Sequence, residues 1–246
     1  MIYSREFFEL QLLFAATVQT TADLSFEQAL LDYTNFYVRL GCGRDFDDTH
    51  PNWRDFVAGL AKAADKGAWI HRYYRRDAET QTAPDVTLTS GCFSFAVQDS
   101  CIRIHFRNVD DRSSPLAVAS SSLRLAELTE LSRTVRDSVD AALPVVGVSW
   151  LYNLQAYRRL FPPGYVESAR PLAQRYRSMP LWGQFVDRAG ACRPAQVKAF
   201  KAALEQRAAQ LRACAEPSAR ANWDECFPLP VLRVTTPVSD FCEHYC

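Results

Sequence analysis

CFSFAVQDSCIRIHFR, running from Cys92 to Arg107, decides the architecture of this chain. Apolar and polar residues alternate on both sides of Asp99-Ser100, the period-two pattern of strands with two unlike faces. Asp-Ser reads as a tight turn, so the two runs fold into an antiparallel hairpin. Around that turn Phe93 faces Phe106, Phe95 faces Ile104 and Val97 faces Ile102, and these side chains build one apolar face. The opposite face pairs Ser94 with His105, Ala96 with Arg103 and Cys92 with Arg107. Antiparallel sheets commonly wet one face. The two arginines and the histidine therefore either meet solvent or line a cleft.

Toward the N-terminus, Ala68 to Arg75 (AWIHRYYR) is rich in aromatic and β-favouring residues and is predicted as a strand, joined to the hairpin by a polar loop from Asp77 to Ser90. Before it, helical spacing of apolar residues predicts three helices. The first covers Tyr3 to Val18. The second runs from Phe26 to Leu40, with Ser25 as cap and Gly41 as stop. The third is opened by Thr49-His50-Pro51-Asn52 and closed by Gly67. Toward the C-terminus, Leu116 to Ala142 has helical spacing that ends before Pro144. VVGVSWL, Val145 to Leu151, is the near-continuous apolar run of a buried parallel strand. Helical segments are expected at Leu154 to Leu160 and Val166 to Tyr176, and a short strand or helical turn at Leu181 to Val186. A long helix from Ala195 to Cys214 follows Pro194, and Val231 to Thr236 forms the last strand. The fold class is mixed α/β: three N-terminal helices, then a mixed sheet with a central antiparallel meander and a helix-strand-helix unit. No repeat or linker divides the chain. It reads as a single compact domain, 1–246, with a helical N-terminal subregion at 1–67 and a mixed α/β core at 68–246.

Charge narrows the possible partners. Lys and Arg total 28 and Asp and Glu total 28, so no net field draws the chain to nucleic acid or an anionic membrane. No apolar run reaches the ~18 residues of a membrane span, and the first segment is an amphipathic helix, not a signal peptide. The expected location is cytoplasmic. In that compartment the eight cysteines are thiols and not a disulfide framework. Cys226, Cys242, His244 and Cys246 lack a standard zinc spacing, and no metal site is predicted. Of the basic residues only Lys62, Lys66, Lys198 and Lys201 are lysines; the other 24 are arginines. Planar guanidinium groups suit carboxylate or phosphate, which points to a small anionic ligand.

Three places can carry chemistry. His105 suits acid-base work because its pKa lies near neutrality, with Ser94, Arg103 and Arg107 beside it as substrate contacts. The second place is the carboxyl end of the strand Val145 to Leu151, where α/β proteins bind ligands. It presents Ser149, Tyr152 and Asn153, then the doublet Arg158-Arg159. Asn153 also suits an N-cap, and Trp150, Tyr157 and Phe161 suit a core. The third is the start of the helix after Leu116, where Ser120, Ser121 and Ser122 with Arg124 offer hydroxyls, backbone amides and a cation to a phosphate.

From Ala68 onward the order β, β, β, helix, β, helix resembles the core of GNAT-type N-acyltransferases, over roughly Ala68 to Leu160. The resemblance rests on element order. It implies an acyl-coenzyme A donor and a small amine acceptor, with the pyrophosphate received at Ser120, Ser121, Ser122 and Arg124 and a cofactor contact from Asn153. It also implies that Val145 to Leu151 splays from Cys101 to Arg107, and that Tyr157 protonates the departing thiolate. The family's glycine-rich pyrophosphate turn has no counterpart, since no glycine stands between Asn108 and Arg124. The alternative is a non-catalytic module whose Arg-lined sheet face takes an acidic ligand or, as a homodimer, a second copy of the chain.

Overall fold

The computed structural model describes residues 2–77, 88–98, 100–109, 113–136, 140, 142–172, 176–213 and 222–245. Two units divide the chain: Met1–Thr82 with Gln174–Pro228, and Ala83–Ala173 with Leu229–Cys246. The first begins with α1 (Arg5–Ala22), α2 (Phe26–Tyr33), α3 (Phe36–Arg39), α4 (Pro51–Lys62) and α5 (Lys66–Asp77). The second then supplies β1 (Leu88–Ser90), β2 (Phe93–Gln98), β3 (Cys101–Phe106), α6 (Ser121–Arg136), β4 (Pro144–Ser149), α7 (Gln155–Arg158), α8 (Pro163–Glu167) and β5 (Arg170–Pro171). The chain returns to the first unit for α9 (Met179–Trp182) and α10 (Pro194–Ala213). It ends in the second with β6 (Leu232–Pro237) and α11 (Val238–Glu243).

The helical unit follows local signals in its first elements and departs from them at instructive places. The Ser25 hydroxyl accepts the Gln28 N–H at 3.1 Å and caps α2 as expected. The helix expected to reach Leu40 breaks after Tyr33. There the Thr34 hydroxyl donates back to the Leu30 carbonyl at 2.6 Å and the Gln11 side chain takes the Asn35 N–H at 2.8 Å. Side-chain oxygens thus replace backbone partners at the break. His50 Nδ1 accepts the Asn52 N–H at 3.2 Å and caps α4.

Ala68 to Arg75 is not a strand, and Gly67 does not close the helical region. Both lie in α5, whose start is capped by Asp65 accepting the Ala68 N–H at 2.9 Å. Ile70, Tyr73 and Tyr74 are buried at helical spacing, so position outweighed their β-favouring composition. The helical subregion accordingly runs past residue 67. At the centre of the unit Phe14 is fully buried, and the rings of Tyr33, Tyr176, Trp182, Phe200, Trp223 and Phe227 meet it edge-on at 5.5 to 5.9 Å. This is the geometry that aromatic quadrupoles favour.

The second unit is an open mixed sheet in the order β1-β2-β3-β4-β6-β5. The hairpin has the expected register at Phe93 with Phe106, Ser94 with His105, Phe95 with Ile104, Ala96 with Arg103 and Val97 with Ile102. Arg107 donates its N–H to the Cys92 carbonyl, extending the pairing; Asp99 of the turn lies outside the described residues. β4 runs parallel to β3, as expected, and β6 antiparallel to β4. One face carries Phe93, Phe95, Ile102, Ile104, Val145 and Val234, and it packs with Leu128, Leu131 and Val135 of α6 and Phe241 of α11. Full burial of such a side chain contributes about 1.5–3 kcal/mol.

The helix expected over Leu116 to Ala142 begins with a 3-10 turn at Val118–Ser120 and is regular only in α6. Residues 137–139 and 141 lie outside the described set. The helix expected from Val166 to Tyr176 is replaced by α8 and the edge strand β5, where Pro171, which has no N–H to donate, is tolerated. Among the described residues no helix is long and apolar enough to cross a membrane.

Candidate functional site at the parting of two parallel strands

β3 and β4 pair at Ile102 with Val145, Arg103 with Val146 and Ile104 with Gly147, and the parallel register stops there. His105-Phe106 on one strand and Val148-Ser149 on the other continue without pairing to each other. The parallel ladder thus stops two residues short of the carboxyl end of each strand, on the side of the sheet where open α/β sheets bind ligands.

Beneath the last pair lies a cluster of phenols. Tyr152 Oη and Tyr165 Oη are 3.1 Å apart, and the Tyr157 ring packs against the Tyr152 ring at 5.0 Å. All three residues are buried. Burial raises each hydroxyl well above the ordinary phenol pKa, so all stay protonated at neutral pH. Gly147 makes the arrangement possible. A Cβ there would collide with both the Tyr152 and the Tyr165 hydroxyls. Tyr165 was missed in the sequence. The available signal was Gly147 itself, because a lone glycine inside an apolar strand marks a close approach.

The predicted acid and base stand on opposite faces of the sheet. Tyr157, on α7, packs its ring on Phe93 and Phe106 at 6.5 and 5.3 Å. His105 alternates with Phe106 and is half-buried on the far face, opposite Ser94. Arg103 shares that far face and is half-buried, and Arg107 is exposed just past the end of β3. Asn153 is not an N-cap for α7. Its Nδ2 donates to the carbonyls of Trp150 and Pro230 at 2.7 and 2.8 Å, tying the turn after β4 to the approach to β6. The Ser149 hydroxyl accepts the Leu151 N–H at 3.1 Å.

At the start of α6, Ser120 Oγ donates to the Ser114 carbonyl at 3.2 Å, Ser122 is exposed, and the buried Ser121 hydroxyl has no hydrogen-bond partner. Arg124 does not join these serines. Its guanidinium is 4% exposed, donates to Glu127 at 2.6 Å and contacts the Cys92 sulfur. Glu127 also accepts the Cys92 N–H at 3.1 Å, and Gly91, at φ 52°, leaves room for its carboxylate. Burial raises the Glu127 carboxyl above its ordinary range despite the Cys92 N–H and Arg124. Arg124 thus anchors α6 to the β1–β2 turn.

The far face gains two residues absent from the sequence reading, Arg233 of β6 and Arg170 of β5, which face each other. Among the described residues no three His, Cys, Asp or Glu side chains gather in a metal-binding group. Cys242 is buried, His244 follows α11, and Cys246 lies outside the described residues. Compared with protein-family models, curated proteins and solved structures, the chain matches none.

Proposed function

We propose that the sheet unit is an acyltransferase moving an acyl group from a coenzyme A thioester to a small amine. What supports this reading is the end of β3–β4 pairing at Ile104 and Gly147, with the phenols of Tyr152, Tyr157 and Tyr165 clustered beneath it. The donor's pyrophosphate is taken at the entrance to α6 by the hydroxyls of Ser120, Ser121 and Ser122, the Ser121 N–H itself being bonded to the Val118 carbonyl. Arg124, turned inward, contributes only by fixing the helix. Asn153 holds the turn that follows β4.

The amine attacks the thioester carbonyl, a C–N bond forms and the C–S bond breaks. His105 accepts the proton lost by the amine and passes it to water, and Tyr157 donates a proton to the departing sulfur and is reprotonated from water, which restores both groups. Because the two residues stand on opposite faces, the substrates have to meet between the unpaired ends of the strands. Arg103, Arg107, Ser94 and Tyr152 are then the acceptor's surroundings.

Thermal unfolding with acetyl-coenzyme A tests the reading. A ~100 μM site at about 1 mM ligand stabilises by roughly 1.4 kcal/mol, about 3–5 °C in Tm for a chain of this size. Absence of any shift at that concentration overturns it. A second reading, an anion-binding module without catalysis, is favoured by the Arg170–Arg233 pairing, and it predicts stabilisation by simple oxyanions alone.

A further inference from the structure

Arginine stands directly opposite arginine where β5 meets β6, Arg170 against Arg233. Opposed residues of an antiparallel pair project from the same face with Cβ atoms about 4.5–5.5 Å apart, and like charges there are destabilising. On its other side Arg233 faces Val148. Alternation from Gly147 puts Val148 on the face that carries Arg103 and His105. The next row of that face runs from Arg103 through Val146 to Thr235. Arg170 and Arg233 are exposed and Arg103 is half-buried.

Arg170 Nη1 donates to the carbonyls of Glu167 and Ala169 at 3.3 and 2.8 Å, which fixes its direction. Among the described residues no carboxylate pairs with Arg103, Arg170 or Arg233. Glu167, close in sequence, offers Arg170 its backbone carbonyl. The whole sheet unit contains ten arginines and no lysine.

We propose that this face binds a small oxyanion, a phosphate or carboxylate group, held between Arg170 and Arg233 and flanked by Arg103. An anion placed there turns the repulsion of the opposed pair into attraction. Each guanidinium presents paired N–H donors that match two oxygens of such a group. The assignment does not depend on acyl transfer, since it uses only the register of β4, β5 and β6.

The test titrates inorganic phosphate and, separately, succinate into the full chain, with sodium chloride at matched ionic strength as reference, by calorimetry and thermal unfolding. Wild type is compared with Arg233→Gln and Arg170→Gln, and with Arg133→Gln on the exposed side of α6 as a control. Phosphate or succinate should raise Tm beyond chloride, and the stronger of the two identifies the ligand's group. Either β-strand substitution should weaken that binding by about tenfold or more. Either should also raise the anion-free Tm at low salt, because it removes the like-charge pair, while Arg133→Gln changes neither quantity. The proposal is overturned if neither anion exceeds chloride, if Arg233→Gln and Arg170→Gln bind as wild type does, or if both lower the anion-free Tm.

Discussion

In the helical unit, buried polar side chains serve the backbone: Gln11 takes the Asn35 N–H, Thr34 bonds the Leu30 carbonyl and Gln184 bonds the Leu181 carbonyl. In the sheet unit they meet one another: Tyr152 with Tyr165, and Arg124 with Glu127 and Cys92. The first kind closes the account of N–H and C=O groups at helix ends. The second is costlier in desolvation and depends on every member being present. The proposed chemistry is placed in the sheet unit, among these side-chain contacts. The helical unit, centred on Phe14, is a packed aromatic scaffold.

The contrast can be broken by mutation, most severely at the two centres. Phe14→Ala should cost about 3–5 kcal/mol, measured by chemical unfolding, because six rings lose a common partner. A loss below about 1 kcal/mol would mean that the ring cluster does not hold the unit. Glu127→Ala should cost about 3 kcal/mol by leaving the Arg124 charge buried without its partner.

Glu127→Gln sharpens the same point through pH. A folded-state pKa raised above the unfolded value means that this carboxyl contributes stability below the ordinary glutamate range and loses it as pH rises through the raised value. The Gln variant, neutral but still an acceptor, should therefore gain on wild type in Tm between acid and neutral pH. A constant difference across that range contradicts the buried placement. Gly147→Ala comes next, at about 1–3 kcal/mol, since the added methyl displaces the Tyr152 and Tyr165 hydroxyls. Tyr165→Phe should cost only about 1 kcal/mol by removing one hydrogen bond of the phenol cluster. An effect equal to that of Gly147→Ala would show that the hydroxyls matter more than the packing.

The hairpin was readable because alternation around Asp99-Ser100 specifies the register residue by residue, and VVGV showed a strand buried on both faces. β5 was not readable, since two residues carry no period, and with it went the arginine pair. Ala68 to Arg75 misled through composition. Its aromatics favour strands, while the helical signals, Asp65 as cap and the spacing of Ile70, Tyr73 and Tyr74, are weaker in the sequence. At the candidate site His105 and Tyr157 could be named from type and position, but the faces they occupy follow from packing. Arg124 looked like a phosphate ligand at a helix start. Its partner Cys92 lies 32 residues away in sequence, beyond any local pattern.

Backbone hydrogen exchange with and without about 1 mM acetyl-coenzyme A tests the central claim most directly. The account predicts slowed exchange at the first amides of α6, Ser121 to Leu123, together with His105, Phe106, Val148 and Ser149 where the strands part. Unchanged exchange at both places, or protection confined to the helical unit, would contradict it.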